Sequence, residues 1–323
     1  MRGEFVAIDI VGHDGLTILS RGLVLVRPER ADSLAVLAHE LAHVATARKG
    51  YRDESNERYF LRPAGAPDPD WIDVDALVAT RCLLEADAEI TERAALAFQE
   101  AGDAAVSALW KERSPVLPAD GVGPLRVVKP DGSVAVDVGA GEPFHDRTST
   151  VAKLLGKLAY EGSLALVKAR HRENENLEET LRRTWETFSY STREIFVPEK
   201  PPLGPANLAR AARSLGVPAH GALRVGAFLI FCFLYRKSDL AIDDVLKLID
   251  AFEDDLLVRT YADAGAGSLW VTKWATPSAA ERFASIYGKV LEPGSVASEG
   301  NWVTAQLGEA PAKKEIVQKL KAN

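Results

Sequence analysis

The chain of 323 residues is long enough for one large domain or two ordinary ones. Apolar residues make up 47% and charged residues 26%, which predicts a sizeable core, and a formal net charge of -7 lacks the basic footprint that nonspecific nucleic-acid binding needs. Two cysteines, Cys82 and Cys232, do not form a disulfide framework; each sits in an apolar helical pattern and reads as a buried thiol.

The N-terminal MRGEFVAIDIVGHDG has no long apolar run, so no secretory leader is visible. The expected location is cytoplasmic, or the chain is a mature form without its leader. Residues 4–26 alternate apolar and polar around a Gly-rich turn and predict two or three short strands. ADSLAVLAHELAHVATARKG follows, a helix with Asp32 or Ser33 as N-cap and Gly50 as its stop. Residues 51–71 are polar and Pro-rich and read as a loop. From Ile72 to about Ala101 helix formers run on with no Pro or Gly until Gly102, and Asp73 and Asp75 suit the start of that helix.

Residues 112–150 are rich in Pro and Gly, with Lys129-Pro130-Asp131-Gly132 as a turn between two β-type runs, an insertion or a flap. Helices are predicted over 149–172 and 176–188, then, after the loop FSYSTREIFVPEKPPLGP, over 205–214, 221–236 and 240–253. Arg170, His171 and Arg172 are followed at once by Glu173 and Glu175 and read as a solvated face. The apolar run Val225 to Tyr235 is too short to cross a bilayer, so no membrane span is expected. LLVRTYADAGAGSLWVTKWA reads as a hairpin in which Trp270 and Trp274 share one face, Ser278 to Leu291 as a helix and NWVTAQLG as a strand. These elements predict a mainly α protein with α+β parts, divided into a helical domain over 1–253 and a small α+β region over 254–323.

His39-Glu40-Leu41-Ala42-His43 is an HExxH motif on the first predicted helix. Positions i and i+4 share a helix face, so both imidazoles can reach one metal ion at nitrogen–metal distances of about 2.0–2.1 Å. Glu40 is then the general base for a water made acidic by the metal. Two histidines need a third ligand, and Glu85 in LLEADAEITERA is the candidate, because its flanks Leu83, Leu84, Ala86 and Ala88 are apolar and a buried carboxylate there needs a cation. Glu89, one turn on, could orient Glu85 or a histidine, Asp87 points elsewhere, and Glu92 reads as solvated helix face. The donor set with an open position suits Zn2+. This pairing of helices is a zincin-like arrangement.

The sequence resembles a family of bacterial and archaeal predicted metallopeptidases of gluzincin-like pattern, which includes haloarchaeal surface proteins. The family's HELxHALQDQ is matched by HELAHVATARKG at 39–50, and its ALxEGDA by CLLEADAE at 82–89, with Glu85 at the glutamate of EGDA. Its PYxxGxxFV helix is matched by LAYEGSLALV at 158–167, its STEQILHPEKY loop by STREIFVPEKPPL at 191–203, and its closing hairpin by residues 258–287. The order and spacing match from about residue 34 onward. Departures are the missing Gln-Asp-Gln, replaced by Thr46, Ala47 and Arg48, and Val197 at the histidine of HPEKY. GWGGDRY leaves only an echo at Glu253-Asp254-Asp255.

A peptidase of this kind needs a donor for the tetrahedral oxyanion. Tyr160, His145 and Tyr190 are the candidates, and Tyr160 is taken as the catalytic one, although a helical Tyr is more often a core residue. His13, His171 and His220 have no partner pattern. The expected activity is zinc-dependent hydrolysis of a peptide bond in a peptide or protein substrate. Its alternatives are a catalytically inactive metal-binding or scaffold protein of the same fold and a zinc hydrolase acting on a small amide.

Overall fold

The structure, a computed structural model, describes residues 6–7, 14–18, 23–48, 71–111, 125–128, 134–138, 151, 154–199, 208, 222–238, 240–262, 265–291, 294–308 and 317–318. Helices and a smaller share of strand make it mainly α with α+β parts. The chain divides into one unit of Met1–Glu54 with Thr80–Phe188 and a second of Ser55–Ala79 with Ser189–Asn323. None of the three boundaries falls at 253/254, where the strand Phe252–Ala262 runs through unbroken.

The first unit opens with strands β1 (Val6–Ala7), β2 (Gly15–Ile18) and β3 (Leu23–Val26), ordered β1-β3-β2, with β3 parallel to β1 and antiparallel to β2. Helix α1 (Leu34–Arg48) packs on this sheet: Val24 and Val26 of β3 are buried with Val44, and Val36 and Leu37 complete the cluster. α1 starts just after Ser33, whose carbonyl accepts from Leu37 N at 3.0 Å. The expected stop, Gly50, lies outside the described residues.

A strand, β4 (Trp71–Asp73), precedes the long helix α2 (Val74–Ala101). Of α2, Cys82, Leu83, Ala86 and Ile90 are fully buried, a spacing that keeps one face apolar. Gly102 ends it in the left-handed region (φ 68), its N–H closing on Phe98 O at 2.9 Å, and α3 (Asp103–Leu109) follows. Strands β5 (Leu125–Val128) and β6 (Val134–Val138) pair antiparallel, as the turn signal between them predicts; the turn itself lies outside the described residues.

The helix expected over 149–172 contains a π-helical turn, Leu158–Gly162, before α4 (Ser163–Arg170). Such a turn frees carbonyls from the i→i−4 ladder, and Ser163 Oγ lies 2.6 Å from both Leu158 O and Ala159 O. Helix α5 (Leu177–Thr187) carries a full capping box, Asn176 with Glu179, and buries Trp185.

The second unit is built on a six-stranded sheet ordered β10-β11-β9-β8-β7-β4. Its members are β4, β7 (Ala222–Arg224), β8 (Phe252–Ala262), β9 (Gly265–Trp274), β10 (Val296–Glu299) and β11 (Trp302–Leu307). Only β4 and β7 pair parallel. β8 and β9 form the predicted hairpin. Trp270 and Trp274 are both buried on one face, edge-on or tilted against Phe283 of α9 (Pro277–Gly288) at ring distances of 5.8 and 4.7 Å. Helices α6 (Thr192–Phe196), α7 (Gly226–Lys237) and α8 (Ile242–Ala251) complete the unit. No helix among the described residues is long and apolar enough to cross a membrane.

The helix expected over 221–236 begins five residues late, at Gly226, because residues 222–224 form β7. Gly226 at φ 81 marks the change, and a Cβ there would overlap the Asp75 side chain, so only glycine fits. The helix expected over 240–253 yields to β8 after Ala251, and β4 and β10 appear where no strand is predicted. The helix expected over 205–214 lies, apart from Leu208, outside the described residues.

A buried charge cluster holds this unit's elements together. Arg224, at the end of β7, lies 3.0 Å from Asp75 Oδ2 and 3.6 Å from Asp73 Oδ1, and donates from Nε to Asp254 Oδ1 at 3.0 Å. Asp75 also accepts from Ser191 Oγ at 2.8 Å and from the Thr192 hydroxyl. Asp255 accepts from Val225 N and Gly226 N, each at 2.9 Å, and from Trp270 Nε1 at 2.8 Å. Two of these donors are backbone groups at the start of α7, which have no partner within the helix. Burial pushes the carboxyls of Asp73 and Asp255 up to about 7, against the pull of Arg224.

Candidate metal centre

Helix α1 presents His39 and His43 one turn apart on the same face, with ring centroids 5.0 Å apart and planes at 83°. Helix α2 brings Glu85 to them: its Oε2 lies 3.4 Å from His39 Nε2 and 3.7 Å from His43 Nε2. A tetrahedral ion with bonds of about 2.0–2.1 Å holds its ligand atoms about 3.3–3.5 Å apart, so these spacings fit one metal ion. Glu85 is 2% exposed, and Oε2 is buried without a hydrogen-bond partner. An orphaned carboxylate oxygen in such a place costs free energy unless a cation meets it. The other oxygen, Oε1, is held by Arg81 one turn earlier at 2.6 Å. That division leaves Oε2 facing the two imidazoles.

The charges around this triad are strongly coupled. Burial opposes the imidazolium of His39, but Glu85 and Glu92 outweigh it and raise its pKa to about 10. Burial also opposes the Glu85 carboxylate, and the two imidazoles and Arg81 more than offset that, holding its carboxyl well below the usual range. The site thus attracts positive charge. A metal ion would take it in place of the proton, since a ligating imidazole must be neutral.

Glu92 does not form solvated helix face. Its Oε2 lies 3.1 Å from His39 Nδ1, because seven residues are two helical turns and put Glu92 on the same side of α2 as Glu85. Glu89, expected to orient a ligand, is instead paired with Arg93 through Nε at 2.8 Å and Nη2 at 2.7 Å. Glu89, Glu92 and His39 also present ligand atoms within 4.8 Å of one another, but Arg93 already supplies a cation to Glu89. A carboxylate on Nδ1 fixes the ring and leaves Nε2 for a metal. Glu92→Gln is expected to weaken zinc affinity by about 10–100-fold, read by competition with a chromogenic chelator.

Glu40 points off the same helix turn and is 7% exposed; its Oε2 accepts from Thr17 Oγ1 of β2 at 2.5 Å. Tyr160, on the π-helical turn, is 41% exposed and stacks at 6.4 Å on His39. Burial and the nearby Glu85 charge push its hydroxyl up to about 12, so it stays a proton-bearing donor at neutral pH.

His145 is outside the described residues, as are His13 and His220. Tyr190 belongs to the second unit and takes a left-handed backbone (φ 56). His171 stacks on Trp110 at 4.2 Å and reaches Thr180 Oγ1 at 2.9 Å. Asp87 accepts from Thr46 Oγ1 and Trp185 Nε1, away from the histidines as its helix position predicts. Val197 follows α6, and the Glu253-Asp254-Asp255 echo places Asp254 and Asp255 in the Arg224 cluster while Glu253 pairs with Lys273.

Sequence reasoning misses Arg81, Glu92 and Thr17. The first two carry a signal, since they stand at i−4 and i+7 from Glu85. Thr17 carries none, because its contact spans 23 residues between different elements. Compared with family models, curated proteins and solved structures, the chain matches none.

Proposed function

We propose that the chain is a zinc-dependent metallopeptidase of the gluzincin-like kind, with a zincin-like helix pair in which His39, His43 and Glu85 hold the metal. The observation that carries this reading is Glu85 Oε2, buried with no hydrogen-bond partner and 3.4 and 3.7 Å from the two Nε2 atoms. Bound zinc supplies Lewis acidity that polarises a carbonyl and makes water acidic near neutral pH. Glu40 takes the proton of the attacking water and delivers it to the leaving amine. Tyr160 keeps its proton at neutral pH and donates a hydrogen bond to the oxyanion as it develops. Glu92 holds the His39 ring, and Arg81 holds the oxygen of Glu85 that faces away from the histidines.

The test is zinc content together with turnover of a broad peptide library by wild type and Glu40→Gln. The expected result is about one zinc in each protein and a loss of turnover of at least roughly 1,000-fold in the variant, the scale on which removing a general base and its positioning acts. Zinc in both with no Glu40-dependent cleavage would leave a metal-binding scaffold. Cleavage confined to small amides would name the narrower hydrolase.

A further inference from the structure

The general base of the proposed reaction is held from outside its own helix. Three observations converge on the Glu40 carboxylate. Thr17 Oγ1 lies 2.5 Å from Oε2 and 3.1 Å from the Glu40 carbonyl oxygen; a hydroxyl has one proton, and the shorter, charge-assisted bond to the carboxylate takes it. Gly15, two residues earlier on β2, stands where a Cβ would lie 2.7 Å from both Cγ and Oε1 of Glu40 and 2.9 Å from Val36 Cγ1. Glu40 itself is buried, so few alternative rotamers lead to water. Residues 15 and 17 point to the same side of a strand, because side-chain direction repeats every two residues. One strand face thus both tethers the carboxylate and leaves the space it fills.

We infer that β2 is the positioning element for the Glu40 carboxylate, with Thr17 as its tether and Gly15 as the gap that admits it. The catalytic consequence rests on the metallopeptidase reading; the positioning itself does not. Thr17 and Gly15 are positioning residues, acting through Glu40. β2 is anchored by β3 through the Gly15↔Val26 and Thr17↔Val24 pairs, and β3 packs on α1. The tether is therefore rigid relative to the helix that bears the histidines. A base held this way meets its proton without first losing rotamer freedom, and a displacement of about 1 Å in such a group can cost on the order of 100-fold.

The experiment uses the full chain as zinc-loaded protein, with Thr17→Val, Thr17→Ser and Gly15→Ala. Valine keeps the shape and removes the donor; serine restores it. Alanine keeps the strand and presses on Cγ and Oε1 of Glu40 and on Val36 Cγ1. Two readouts are taken. The first is the side-chain carboxyl 13C resonance of Glu40 at fixed pH, assigned by its absence in Glu40→Gln. It needs no substrate. The second is kcat and KM on a peptide cleaved by wild type, with zinc content measured alongside.

The expected result is a shifted Glu40 resonance in Thr17→Val and Gly15→Ala and a wild-type resonance in Thr17→Ser. With it goes a fall in kcat of roughly tenfold or more at unchanged KM and unchanged zinc, rescued by serine. An unmoved Glu40 resonance in Thr17→Val overturns the proposal. So does a kcat within twofold of wild type in both Thr17→Val and Gly15→Ala when Glu40→Gln is inactive. Loss of the metallopeptidase reading shows up differently, as a wild type that takes up no zinc or a Glu40→Gln that still turns over.

Discussion

Glu85→Ala is expected to reduce zinc from about one per chain to almost none in protein purified without added metal, with elemental analysis as the measurement. Three donors converge on one point in the first unit, and Glu85 is the one contributed by α2. Removing it leaves two imidazoles of a single helix, too few for a tight closed zinc site. Zinc also stabilises whatever fold it binds. At a free concentration 1,000 times Kd the gain is about 4 kcal/mol, so the unfolding transition of the first unit should rise on zinc addition in wild type and stay put in Glu85→Ala. Retention of zinc by the variant would remove Glu85 from the ligand set. A wild type that stays empty when zinc is supplied would sink the metallopeptidase reading altogether. Glu85→Gln is the control for packing, since it keeps the volume beside Arg81 while losing the charge.

The second large effect concerns the second unit and involves no metal. Arg224→Met is expected to destabilise that unit by about 3–5 kcal/mol, measured by denaturant unfolding at pH 7. The substitution keeps most of the aliphatic volume but leaves Asp73, Asp75, Asp254 and Asp255 buried without their cation. The loss should shrink toward pH 5, where Asp73 and Asp255 carry their protons. A loss below about 1 kcal/mol would mean that the hydrogen bonds from Ser191, Thr192, Val225, Gly226 and Trp270 suffice.

The same cluster sets a pH dependence in wild type. Asp73 and Asp255 have folded-state pKa values raised from 3.8 to about 7, chiefly by burial. The folded unit therefore binds more protons than the unfolded chain between pH 4 and 7. Their contribution is fully present below about pH 4 and is lost as pH rises to about 7, at roughly 1.4 kcal/mol per pH unit for each proton. Urea unfolding of the second unit from pH 5 to 8 should show stability falling across this window and then levelling. Asp255→Asn should remove about half of the slope. A stability that rises over the same range would contradict the assignment.

Much of the architecture is legible in the residues because it depends on near neighbours. The His39–His43 spacing, the unbroken run of helix formers up to Gly102 and the β8–β9 hairpin around a Gly-rich turn are each written within a few residues. The meeting of Glu85 with the histidines is legible too, from the apolar flanks of Glu85 on the next predicted helix. Other features leave no such trace. β4 and β7 are three residues each, too short to display a period of two, and exist because β4 pairs with β7 and β7 with β8. Glu92 on an exposed-looking helix pattern reads the same whether it meets water or His39. Asp254 and Asp255 are ordinary acidic residues until Arg224, thirty positions away, lies beside them. From sequence alone, the chain determines its two longest helices, its principal hairpin and the face that gathers His39, His43 and Glu85, whereas the short helix α6 falls in a stretch that reads as a loop. Only the tertiary structure decides which carboxylate holds which base, because burial and pairing across distant elements set charge, and no local pattern encodes them.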